Sequence, residues 1–329
     1  MMNDEIGYTN EPGKKVIPFG IVHILLCLFP IISASGCSAM KYVIEAHIDP
    51  PSSELVSTSS GEMMDLYSVD TGSEPRDILF FVSGSGCISL NYFLRSYFNG
   101  LTGSWRIYAA QKSGVGANDK GIFCNDEFKD NANYDRLMER NRLALEKVVQ
   151  WHGPVLGVVG VSEGGLIAAK LAQANRNVCN LVVIGDGGLS FRASAKILDD
   201  RQGKNIFSRA FSEVDRDPHS VSKSVLGHTH KYWSSFLDLD PAPVYLSITQ
   251  PIFVIHGERD DSVPVESAKF MGKLFKEAKK DNLEIFIVPD GSHALKQNGV
   301  DKRPEIMGLI SDFLQVNKKS CPGLEFPDR

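Results

Sequence analysis

Residues 157–170 read "GVVGVSEGGLIAAK", and within them Gly160-Val161-Ser162-Glu163-Gly164 has the spacing G-x-S-x-G. A serine hydroxyl attacks an acyl carbonyl only if it is held exposed and a base takes its proton. The strained turn between a strand and a helix does the first of these. Glycines two residues before and after the serine remove side chains that would collide where strand and helix cross. The apolar run before the motif reads as a strand and "GLIAAKLAQA" after it reads as a helix. That context, more than the five residues themselves, singles out Ser162 as a nucleophile. The alternative is a glycine-rich helix cap whose serine only satisfies backbone.

A base is needed, and imidazole, with an ordinary pKa near 6.5, suits neutral pH. The chain has eight histidines. His23 lies in an apolar N-terminal run, His47 and His152 near early strand and helix ends, and His219, His228 and His230 in a polar middle stretch. His256 ends an apolar strand and reads as packed. His293, in "VPDGSHAL", follows the last apolar strand, where parallel-sheet proteins place their sites. A carboxylate must orient the imidazole and stabilise its charged form. Asp260 and Asp261 in "HGERDDSVPVESA" and Asp186 in "VIGDGG" are the candidates, each just past an apolar strand.

These residues need a scaffold. "DILFFVSG" (77–84), "WRIYAA" (105–110), "PVLGVVGV" (154–161), "NLVVIG" (180–185) and "PIFVIHG" (251–257) are apolar runs of strand length. They alternate with stretches of helical spacing such as "YDRLMERNRLALEKVVQWH" (134–152). Such alternation predicts βαβ units and a parallel sheet covered on both faces. "YVIEAHI" (42–48) and "MDLYSV" (64–69) read as early strands, and residues 50–62 as the loop between them. Residues 188–250 break the rhythm and read as an inserted, mostly helical cap, since a structureless loop of that length is improbable in a compact domain.

The motif and its setting resemble the α/β-hydrolase fold superfamily, in which the nucleophile elbow follows the fifth strand; counted from "YVIEAHI", "PVLGVVGV" is fifth. The resemblance implies an α/β fold with a mostly parallel eight-stranded sheet flanked by helices and a helical cap after strand six. It divides the chain into a core of 40–187 and 251–329 and a cap of 188–250, with 1–39 as a signal or anchor segment. It implies the chain order Ser162, Asp260, His293, which this sequence keeps. It also implies an oxyanion hole built from the N–H of Glu163 and an N–H of the loop after the third strand. There Ser85 is the expected donor and Gly86 the next. Family members often carry His-Gly in that loop, whereas this chain has Ser83-Gly84. The implied function is a serine hydrolase that cleaves an ester or related acyl bond through an acyl-enzyme and needs no cofactor or metal. A serine peptidase or acyltransferase on the same triad and a silent envelope binding protein are the alternatives.

The remaining signals concern partners and location. With 329 residues, 43% hydrophobic and 23% charged, the chain can bury a large core. A net charge of −5 and the lack of a basic stripe disfavour a nucleic-acid partner. Lys14 and Lys15 precede the apolar run "VIPFGIVHILLCLFPIISAS", which ends in small residues, the layout of a secretory signal. Ser35-Gly36-Cys37 resembles a bacterial lipoprotein signal, implying a lipid on Cys37 and a cell-envelope location; an uncleaved anchor is the alternative. Cys87, Cys124, Cys179 and Cys321 fit no zinc spacing and are expected to be structural or free. His228 and His230 read as cap surface, and Tyr232, Trp233 and Phe236 as either pocket lining or cap packing.

Overall fold

The structure is a computed structural model and describes residues 48–57, 61–74 and 76–321. Eight strands form the main sheet: β1 (Ser52–Ser57), β2 (Met63–Thr71), β3 (Asp77–Val82), β4 (Trp105–Ala110), β5 (Gly157–Val161), β6 (Leu181–Ile184), β7 (Ile252–Gly257) and β8 (Leu283–Val288). Their spatial order is β1-β2-β4-β3-β5-β6-β7-β8. β2 runs antiparallel to both β1 and β4, and every later pairing is parallel.

The helices follow from the sequence periodicity. Among them are α1 (Tyr134–His152), α2 (Glu163–Ala174), α3 (Phe191–Gln202), α4 (Ile206–Arg216), α5 (His230–Phe236), α6 (Ala242–Ser247), α7 (Glu266–Glu277) and α8 (Arg303–Asn317). Alternate strand residues feed two cores, as the two-residue period of a strand requires. Phe80, Val82, Val158, Val183 and Val254 pack with α1, α2 and α7 on one face. Leu79, Phe81, Val159, Val182 and Ile255 pack with α8 on the other. Coverage on both faces explains why β6 and β7 are buried throughout, whereas edge strand β8 alternates.

Between β6 and β7 lies an insertion made of α3, α4, a short hairpin of Ser224–Val225 with His228–Thr229, α5 and α6. Ser190 caps α3 by accepting from the Ala193 N–H, and Gly203 ends it in a left-handed conformation. Ala195, Ala210, Phe211, Val214 and Leu237 give the insertion a small core of its own.

One expectation needs correction. Residues 52–57, read as loop, are the first strand: β1 exposes all its side chains except that of Val56 and so carries no apolar alternation. Its stability comes from backbone pairing with β2. Residues 42–47 of "YVIEAHI", like the segment 1–39 with Cys37, lie outside the described residues, and "PVLGVVGV" remains fifth with Ser52–Ser57 as first. Of the two readings of the four later cysteines the structural one holds: Cys87 pairs with Cys124 and Cys179 with Cys321, with Cα–Cα distances of 5.6 Å and 5.0 Å. Among the described residues no helix is long and apolar enough to cross a membrane.

Candidate active site

Ser162 sits where β5 meets α2, with φ 52° and ψ −123°. A non-glycine residue in this region is strained and persists only where its surroundings enforce it. They do so here by close approach. A Cβ on Gly160 would lie 2.4 Å from the Gly164 carbonyl oxygen and 2.5 Å from the Ala168 Cβ. One on Gly164 would lie 2.4 Å from the Val82 carbonyl oxygen. The turn is pinned at both ends, the Ser162 N–H donating to the Ile184 carbonyl at 2.8 Å and the Gly165 N–H to the Ser162 carbonyl at 2.8 Å.

His293 arrives from the loop after β8. That loop crosses the end of β7 so tightly that a Cβ on Gly257 would lie 2.4 Å from the carbonyl oxygens of Gly291 and Ser292. His293 Nε2 lies 3.1 Å from Ser162 Oγ, and its Nδ1 lies 2.7 Å from Asp260 Oδ2. An ionised carboxylate only accepts, so the imidazole proton sits on Nδ1 and Nε2 is free to accept from the serine hydroxyl. Asp260 is fully buried, and its other oxygen accepts from the N–H groups of Ser262 and Val263, both at 2.8 Å. Burial alone would push the imidazole down, but the hydrogen bond and charge of Asp260, with smaller contributions from Asp261 and Asp186, raise it above its ordinary value.

The competing carboxylates go elsewhere. Asp261 is exposed on the rim of the cavity. Asp186 is buried beside α2, 3.4 Å from the Tyr245 hydroxyl, and burial pushes its carboxyl up to about 7. His256 is fully buried, donates through Nε2 to the Val263 carbonyl at 2.8 Å and lies 3.4 Å from Asp260 Oδ2. His228 and His230 diverge: His228 stacks on Tyr232 at 4.0 Å between ring centres, while His230 Nδ1 lies 3.0 Å from the Asp217 carbonyl oxygen.

Ser162, Glu163, Ser85 and His293 open onto a cavity of about 250 Å³. The insertion supplies most of its wall, through Phe191, Leu198, Phe207, Phe211, Leu226 and Trp233. Tyr232 and Trp233 therefore both line the cavity and pack the insertion, while Phe236 is buried in the core. Ser85, from the loop after β3, and Glu163, the first residue of α2, flank the serine. Glu163 opens α2, where the N–H groups have no intrahelical partner and the helix dipole favours negative charge. Gly86, the second choice, borders a separate cavity of about 180 Å³ with Phe81, Phe93 and Tyr97.

One residue of this neighbourhood carries no sequence signal. Lys112, just past β4, donates from Nζ to the Gly84 carbonyl oxygen and to Glu163 Oε1, each at 2.6 Å. A single lysine after a strand matches no motif, and its partners lie 28 and 51 residues away in the chain.

The family comparison is decisive at this point: the prolyl oligopeptidase family matches residues 142–318, more than half of the chain. The chain belongs to the prolyl oligopeptidase family. It is thus a serine hydrolase with the α/β-hydrolase fold. The family match contains Ser162, Asp260 and His293 but ends short of Ser85 and Lys112 on the N-terminal side. No curated protein matches the sequence. Solved structures share the fold at low identity. A membrane phospholipase A described as a bacterial virulence factor has a TM-score of 0.54 at 18% identity, over 91% of this chain and 97% of that one. An esterase of Pyrococcus furiosus has a TM-score of 0.56 at 16% identity, over 81% and 91%. The acylaminoacyl peptidase of Pyrococcus horikoshii has a TM-score of 0.55 at 12% identity, over 87% of this chain and 44% of that one.

Proposed function

We propose that the protein is an esterase that cleaves a carboxylic ester with an apolar acyl part. The observation that carries this is the alignment Ser162 Oγ, His293 Nε2 and Nδ1, Asp260 Oδ2 at 3.1 and 2.7 Å, opening onto an aromatic and aliphatic cavity. Ser162 Oγ attacks the acyl carbonyl carbon while His293 Nε2 takes its proton. Negative charge on the carbonyl oxygen is received by the N–H groups of Ser85 and Glu163. The tetrahedral intermediate collapses, His293 returns the proton to the departing alkoxide, and water repeats the sequence to release the acid and regenerate the serine. The reading gains support from the fold shared with a phospholipase and an esterase. The family match favours a second reading, a serine peptidase using the same atoms.

A fluorophosphonate probe is expected to label wild type and to fail on Ser162→Ala. Short-chain nitrophenyl esters are expected to turn over faster than aminoacyl anilides. The reverse order would transfer the case to the peptidase reading, and a folded protein inert to probe and both panels would remove the nucleophile.

The insertion is read as a cap that shapes the acyl site. The protein is further read as exported and held at the envelope by a lipid on Cys37. Lys14, Lys15 and the apolar run before Cys37 support export, as do two disulfides, which persist in oxidising compartments. Metabolic labelling with a fatty-acid analogue should mark wild type and not Cys37→Ser; equal labelling of both would refute the tether.

A further inference from the structure

We propose that Lys112 is a positioning residue for the oxyanion hole, its ammonium clamping the Ser83–Gly86 loop to the first turn of α2. This rests on the reading of Ser162 as nucleophile and adds to it the device that orients the two donors.

The Gly84 carbonyl and the Ser85 N–H are two ends of one planar, trans peptide group, so they point in opposite directions. Lys112 Nζ holds that carbonyl at 2.6 Å, and whatever fixes the oxygen fixes the direction of the N–H. The same ammonium holds Glu163 Oε1 at 2.6 Å, and Glu163 carries the second donor on its own backbone. One cation thereby sets the spacing between two donors, one from a loop and one from a helix start.

Three further observations leave the clamp little freedom. The side chains of Lys112 and Glu163 are only 10% and 2% exposed, so water does not compete for the contact. The loop is seated against the nucleophile: a Cβ on Gly84 would lie 3.2 Å from the Val161 carbonyl oxygen and 3.5 Å from the Ser162 Cβ. Glu163 also lines the cavity together with Tyr232 of α5, so the clamp adjoins the insertion.

A buried ion pair is poor evidence of stabilisation, because desolvating both charges offsets most of their attraction. Its placement between the two halves of an oxyanion hole has a functional reason instead. Donors that are already oriented need no reorganisation when charge develops on the substrate oxygen. The ammonium also polarises the peptide it holds, which strengthens the Ser85 N–H as a donor. The loop lacks the histidine often found beside its glycine in this superfamily, and Lys112 supplies an anchor from the neighbouring strand end.

The test uses the purified protein with an ester substrate. Lys112→Met is expected to lower kcat by about 10²-fold with KM changed by less than about threefold, the pattern of a lost transition-state interaction. A boronic acid that forms a tetrahedral adduct on Ser162 should lose affinity in parallel with kcat, while a planar product acid should not. Lys112→Arg, which keeps the charge and two donors, is expected to restore most of kcat. Wild-type kcat in folded Lys112→Met overturns the clamp, as does a loss explained wholly by the fraction of unfolded protein. If Lys112→Met does not fold, Glu163→Gln carries the test: kcat should fall about tenfold at constant KM as a charge-assisted bond becomes neutral, and an unchanged kcat overturns the proposal. An inert, unlabelled wild type would instead bring down the nucleophile reading and the clamp with it.

Discussion

The protonation of His293 sets the working pH range. Its imidazole is raised above the ordinary value by Asp260, with Asp261 and Asp186 also facing it, and it must be neutral to accept the serine proton. Activity is therefore lost as pH falls through the raised value, and kcat/KM is expected to rise with pH with a midpoint above about 6.5. An acidic limb centred below that value contradicts the assignment. Asp260→Asn should lower kcat by about 10⁴-fold, because the amide no longer fixes the proton on Nδ1. Ser162, Asp260 and His293 were legible in the sequence because each follows a recognisable strand and their chain order is constrained. Lys112 was not, because its meaning depends on two groups that only folding brings to it.

The element that matters most is the β5-turn-α2 unit. Its strain at Ser162 is sustained by backbone packing of Gly160 against Gly164 and of Gly164 against β3. Gly160→Ala should therefore cost about 1–3 kcal/mol by overpacking, since the added methyl meets backbone that has no room to retreat. Thermal melts should show the loss, and esterase turnover should fall further than stability does, because opening the turn rotates the hydroxyl away from His293. A variant as stable and active as wild type would mean that the turn is not enforced by this contact. Buried parallel strands β3 to β7 announced themselves as largely apolar runs. The edge strand β1 did not, because its pairing uses backbone groups and leaves nearly all side chains in solvent. The insertion showed itself only as a break in rhythm; its helices owe their arrangement to a small core of five buried residues and to the cavity wall they share with the site.

At the scale of the whole molecule the two disulfides act on different spans. Cys87–Cys124 closes 37 residues next to the loop that carries Ser85, and Cys179–Cys321 ties the start of β6 to the chain beyond α8 across 142 residues. Closing a loop removes freedom from the unfolded chain that grows with the logarithm of its length, so the longer bridge is expected to contribute more, about 5 kcal/mol. Replacing Cys179 and Cys321 by alanine should lower the urea midpoint accordingly, and a thiol reductant should lower wild-type stability without affecting that of a variant lacking all four cysteines. Equal midpoints with and without reductant would show that the bridges contribute nothing. Spacing could not disclose this pairing, since four cysteines allow three connectivities.

The sequence by itself determined the alternation of strand and helix, the nucleophile turn and the order of serine, acid and base, because each is encoded in residues close along the chain. Tertiary structure alone decided which carboxylate meets His293, what lines the cavity and how the Ser83–Gly86 loop is anchored. Those outcomes depend on distances between segments far apart in sequence, and such distances exist only once the sheet has formed.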